Sequence, residues 1–128
     1  MILMVMSVAE IKQRILAGED IFTEFKQRDR PDALTKEDMV RNLVALANTA
    51  ATGPTMPRAL FICVSDRGRP TGYTPFQEFR STNDLVAYVQ DTTLPPLIVE
   101  ATEHVIDGNS VLVTFPFTSK GTRYEVSG

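Results

Sequence analysis

Three stretches of the chain repeat apolar residues at helical spacing, and strand-like runs lie between them. Val8, Ile11 and Ile15 recur at intervals of three and four residues, with Leu16 beside them. Ser7 precedes the run and Glu10 follows three positions later, the arrangement of a capping box; Gly18 is a natural stop. The pattern predicts a helix over residues 8–17. Phe22 to Gln27 then alternates, with Phe22, Glu24 and Lys26 on one face and Thr23, Phe25 and Gln27 on the other. This predicts a first strand, followed by a charged loop from Arg28 to Leu34 that contains Pro31.

The second helical run is the strongest. Met39, Leu43, Leu46 and Ala47 share one face, Val40 and Val44 widen it, and Thr35 caps it. The helix is predicted to end near Asn48 or Ala50, before a loop over 51–58 that holds Gly53, Pro54 and Pro57. Ala59 to Val64 is apolar throughout, as for a central strand covered on both faces, and Ser65-Asp66-Arg67-Gly68 reads as a turn. Residues 70–79 read as irregular. A third helix is capped by Ser81 or Thr82, carries Leu85, Val86 and Val89, and cannot run past Pro95-Pro96.

Leu97 to Ile106 and Ser110 to Phe117 predict a hairpin around Asp107-Gly108-Asn109. A two-residue loop pairs Val99 and Ala101 with Pro116 and Thr114. A three-residue loop pairs Val105 with Val111, Ala101 with Phe115 and Val99 with Phe117. The second gathers apolar residues on one face and is the register expected here. Arg123 to Val126 adds a last strand. The order α-β-α-β-α-β-β-(β) predicts an α+β domain with a mixed sheet, one domain over residues 1–128 with 1–6 as an apolar tail or added edge strand.

Composition narrows the function classes. A chain of 128 residues suits a single core. The six-residue apolar start has no basic leader and is far too short to span a membrane. The single cysteine, Cys63, excludes an internal disulfide, fits a reducing cytoplasm, and falls in a strand expected to be buried and inert. With His104 the only histidine, a zinc site of Cys and His is not expected. His104 has no nucleophile partner in the pattern and reads as structural. The net charge of −3 means that any polyanion must be met by a local basic patch. No Walker-type phosphate loop occurs, so no nucleotide cofactor is expected.

The sequence offers candidates for such a patch. Arg28 and Arg30 follow the first strand; Arg58, Arg67 and Arg69 flank the next. If the two strands are neighbours, these arginines surround one end of the sheet, and arginine's planar fork suits phosphate. The same residues also fit a solvated loop rim. Tyr73, Phe76 and Phe79 suit either stacking on bases or covering a core edge. Glu24 and Lys26 read as a weak surface pair or as part of a charged site.

The ordered pieces resemble the Schlafen AlbA-like domain. They are Glu19 with Thr23-Glu24-Phe25-Lys26, then Leu46-Ala47-Asn48-Thr49, then Leu60 to Gly68, then Gly72, Pro95-Pro96, the Asp107-Gly108 hairpin with Val111-Leu112-Val113, and Arg123-Tyr124. Two positions depart from the family pattern. Ala50-Ala51 stand where two glycines usually follow Ala-Asn-Thr, and Cys63 stands where a glycine usually precedes the valine. The resemblance implies a nucleic-acid-binding module, for DNA or RNA. In the nuclease-active Schlafens it further implies a metal-dependent endoribonuclease centre, here at Glu19, Glu24 and Asp66 with Mg²⁺ or Mn²⁺, and Lys26 beside it as a phosphate contact. A third reading is an interaction module whose sheet edge or Met-rich N-terminus pairs with a second copy as a homodimer.

Overall fold

The order of elements follows the apolar pattern closely, and the computed structural model describes residues 7–20, 23–27, 34–49, 58–71, 79, 81–118 and 121–127. They form α1 (Val8–Ala17), β1 (Thr23–Lys26), α2 (Lys36–Thr49), β2 (Ala59–Ile62), α3 (Thr82–Asp91), β3 (Thr93–Leu94), β4 (Ile98–Ile106), β5 (Asn109–Phe117) and β6 (Glu125–Val126). The main sheet has four strands in the order β1-β2-β5-β4. β1 and β2 are parallel, and the other neighbours are antiparallel, so the sheet is mixed and the fold is α+β. No helix among the described residues is long and apolar enough to cross a membrane.

Helices cover both faces of this sheet. Leu60, Ile62, Val99, Ala101 and Leu112 pack with α2 and α3 through Met39, Leu43, Leu85 and Val89. Phe25, Phe61, Val111, Val113 and Phe115 pack with Ile11 and Ile15 of α1. β2 is therefore buried along its whole length, as its unbroken apolar run requires. Phe25 and Phe61, paired across β1 and β2, meet edge to face at 5.9 Å.

The caps form where the polar residues predicted them. Ser7 Oγ accepts from Glu10 N–H at 3.1 Å. Thr35 Oγ1 accepts from Asp38 N–H at 3.1 Å while the Asp38 carboxylate accepts from Thr35 N–H at 3.2 Å. These bonds, led by the Thr35 N–H, hold the Asp38 carboxyl below its ordinary pKa. The cap's contribution is accordingly complete above the ordinary carboxylate pKa and is lost as pH falls through the depressed value. In α1, Ile11 and Ile15 bury whereas Val8 in the first turn stays exposed.

Asn48 ties the C-terminal segment to α2. Its side-chain N–H donates to Tyr124 C=O at 2.9 Å, and its side-chain oxygen accepts from Tyr124 N–H at 2.8 Å. One amide thus satisfies both backbone groups of a buried residue distant in sequence. Asn48→Ala is expected to destabilise the fold by about 2 kcal/mol, because it leaves two part-buried polar groups without that partner. Chemical denaturation checks this, and Asn48→Asp, which keeps only the acceptor, is expected to fall between.

Three expectations are corrected. The hairpin closes through two residues, pairing Ile106 with Asn109, Ala101 with Thr114 and Val99 with Pro116. Asp107 and Gly108 both take positive φ, 51° and 81°, which is the backbone of a tight primed turn. The apolar-face argument for a longer loop fails because β5 is buried on both sides: Leu112 packs toward α2 and α3, Val111 and Val113 toward α1. Secondly, the central strand ends at Ile62, since Cys63, though fully buried, takes φ 72°. Thirdly, the last strand stays outside the main sheet. β6 pairs with β3, a two-residue strand that the sequence pattern did not reveal. The tail over 1–6 lies outside the described residues.

Candidate functional site

The parallel pairing of β1 and β2 sets the geometry. Lys26 lies beside Ile62, and Cys63 N–H donates to Lys26 C=O at 2.8 Å, extending the ladder past the last strand residue. The two strands therefore end together at one end of the sheet, where the segment carrying Arg67 and Arg69 begins.

β2 runs directly into a stiff turn. Gly68 N–H donates to Ser65 C=O at 2.9 Å, Ser65 N–H to Arg69 C=O at 2.8 Å, and Arg69 N–H to Ser65 Oγ at 3.2 Å. Val64 and Pro70 form a bridge, and Cys63 C=O accepts from Thr71 N–H at 2.9 Å. The positive φ of Cys63 turns the chain out of β2 into this loop. That conformation explains why a glycine suits the position and why a cysteine there stores backbone strain. Asp66, Arg67 and Arg69 all face solvent from the turn.

The turn is seated on α1. Gly68 has φ 73°, and a Cβ at this position would stand 2.8 Å from Ile15 C=O and 3.7 Å from the Phe25 ring. Arg14 braces the same corner. Its Nε and Nη2 donate to Thr23 Oγ1 at 3.0 and 2.8 Å, and its guanidinium lies 5.4 Å from the centre of the Phe61 ring. Burial lowers the Arg14 pKa, with Asp20 and Glu10 opposing the shift. Arginine still carries its charge at any working pH. Sequence reasoning missed Arg14; the available signal was its place between Ile11 and Ile15, which draws its stem toward the sheet.

The expected acidic triad does not assemble. Among the described residues no group of three His, Cys, Asp or Glu side chains could hold a metal ion, and Glu19, Glu24 and Asp66 are all described. Strand alternation gives the reason. Phe25 points into the α1 cluster, so Glu24 points to the opposite face. Glu19 follows the α1 cap, and Asp66 lies in the turn seated on α1. Glu24 instead meets Lys26 at 3.3 Å, with both side chains about a third exposed. Such a pair contributes under about 1 kcal/mol. As placed in this structure, these carboxylates do not gather round one Mg²⁺ or Mn²⁺ ion.

The basic residues divide. Arg67 and Arg69 are exposed and Lys26 is partly exposed at the common end of β1 and β2. Arg58, expected as a phosphate contact, is buried at the other end of β2 and offers little surface. Arg28 and Arg30, like Tyr73 and Phe76, lie outside the described residues. Phe79 packs on Tyr88 at 5.7 Å against the larger core cluster, which assigns it to a core edge rather than to base stacking. His104 Nε2 lies 2.8 Å from Thr102 Oγ1, and burial lowers its pKa.

The family model described as Schlafen, AlbA_2 matches residues 19–126. The match begins at Glu19, just past α1, and takes in every sheet strand together with α2 and α3. No curated protein and no solved structure matches the chain.

Proposed function

This chain belongs to the Schlafen, AlbA_2 family, and from that premise we propose that it is a nucleic-acid-binding module that grips phosphates at the paired ends of β1 and β2. The observation that carries the reading is the rigid turn that leaves β2 beside the end of β1 and displays Arg67 and Arg69; the Lys26 side chain, on the Glu24 face of the sheet, flanks that end from the other side. Hydrogen bonds within the turn hold its backbone before any ligand arrives, so less ordering entropy opposes binding. In the sequence Arg28 and Arg30 come just after Lys26 and add to the basic character of the segment.

The whole chain is acidic, so binding depends on this local patch. Long-range repulsion and local attraction are both screened by salt, but release of counterions from the nucleic acid dominates the response. Binding of a labelled RNA or DNA 20-mer is expected to weaken steeply from about 50 to 200 mM salt, with a log–log slope of about −2 to −4 for three to five phosphate contacts. Fluorescence anisotropy reads this directly. An absence of binding at the lowest salt, or an affinity that salt does not alter, sinks the proposal.

A further inference from the structure

β4 is an edge strand of nine residues, hydrogen-bonded among the described residues to β5 alone. In a two-residue hairpin the closing pair, here Ile106 and Asn109, is hydrogen-bonded; alternation then directs the N–H and C=O groups of Val99, Ala101, Glu103 and Val105 toward the open edge. A long edge of this kind is a template for another strand. It also carries Val105 at 67 % and Ile98 at 44 % exposure, two apolar side chains that a partner strand would cover.

The sequence of β4, Ile-Val-Glu-Ala-Thr-Glu-His-Val-Ile, is nearly a palindrome about Thr102. We propose that two copies of the chain pair antiparallel through their β4 edges about a two-fold axis at Thr102, joining their sheets into one. In that register Ile98 faces Ile106 of the second copy and Val99 faces its Val105. Glu100 faces His104, Ala101 faces Glu103, and Thr102 meets itself. No like charges stand directly opposite, and each exposed apolar residue of the strand, Ile98 and Val105, stands opposite an apolar residue of the second copy.

A feature of the surface beside the strand matches this occupant. A cleft of about 810 Å³ runs beside the first half of β4, lined by Thr82 and Val86 of α3 and by Val99, Glu100, Ala101 and Phe117. The pairing lays the second copy's exposed Val105 opposite Val99, at this cleft, and the two-fold axis repeats the contact.

The test is sedimentation velocity of the full chain from about 1 to 100 μM, with variants at the pairing positions. The expected result is a rise from one-chain to two-chain mass with concentration. Val105→Lys, at an exposed site that folding tolerates, is expected to weaken association at least tenfold. His104→Glu alone sets Glu against Glu and weakens it too, whereas Glu100→Lys with His104→Glu restores opposite charges and recovers the dimer. Thr102→Cys should form an intermolecular disulfide on mild oxidation, because a non-hydrogen-bonded pair brings Cα atoms to about 4.5 Å, within disulfide range. The native Cys63 is buried and does not compete. A one-chain mass throughout overturns the proposal. So does a dimer that Thr102→Cys fails to lock or that Val105→Lys leaves unchanged.

Discussion

Gly68→Ala is expected to destabilise the protein by about 2–3 kcal/mol, the sum of a left-handed backbone penalty and a steric one. The backbone at Gly68 has φ 73°, which alone costs an L-residue about 1–2 kcal/mol. The added methyl would also stand 2.8 Å from Ile15 C=O, a backbone atom that cannot swing away as a side chain does. The turn must lift off α1 or α1 must shift. For a chain of this length the melting temperature should fall by roughly 6–15 °C. Gly108→Ala is the matched comparison. Its φ is 81°, but nothing lies within 4 Å of an added Cβ, so only the backbone penalty applies. Equal losses in the two variants would show that the seating of the turn on α1 contributes nothing.

Arg67→Glu combined with Arg69→Glu is expected to weaken nucleic-acid binding on the order of 100-fold at low salt, without a loss of stability. Each charge-assisted phosphate contact is worth about 1.5–3 kcal/mol, so losing one costs about tenfold or more. The log–log salt slope should become shallower by about 1.4–1.8, one increment for each contact removed. Both arginines are exposed, so the fold should change by no more than about 0.5 kcal/mol. Arg41→Glu is the control. It also reverses an exposed arginine, on α2, where Arg41 pairs with Asp38 at 2.7 Å. Its effect on binding should be confined to the small change in net charge. A double variant that binds like the parent protein would remove the turn from the interface.

Much of the fold is legible in the chain alone. Ser7, Thr35 and Ser81 announce helix starts because a side-chain oxygen at an N-cap is a local device, independent of tertiary structure. The buried run from Ala59 and the pairing partners it needs follow from apolar continuity. The hairpin register does not follow, because apolar matching presumes one buried face and β5 has two. There the local signal, Asp107-Gly108, is the better guide, since the turn's positive φ values are set by those two residues. β3 escapes notice because two residues carry no periodicity; it exists through β6 and through Thr93 Oγ1, which accepts from Leu97 N–H and donates to Val89 C=O.

The site is legible in part. Sequence spacing places Arg67 and Arg69 correctly in an exposed turn, because Ser-Asp-Arg-Gly has strong turn chemistry of its own. It cannot show that Arg58 is buried, since a residue flanking a central strand can point either way. Nor can it show that Glu24 and the turn bearing Asp66 belong to opposite faces. That separation depends on which sheet face α1 covers, a tertiary fact settled by Ile11 and Ile15 packing against Phe25 and Phe61. The Asn48 clasp on Tyr124 spans most of the chain and has no local signature at all.

The measurement that bears most directly on the central claim is an NMR titration of the ¹⁵N-labelled protein with a short oligonucleotide at low salt. The proposed site predicts that the amides of Lys26, Asp66, Arg67, Gly68 and Arg69 shift together and saturate with one affinity, and that added salt reverses the shifts. Shifts confined to β4 and α3, or none at an oligonucleotide concentration that saturates binding, would contradict it.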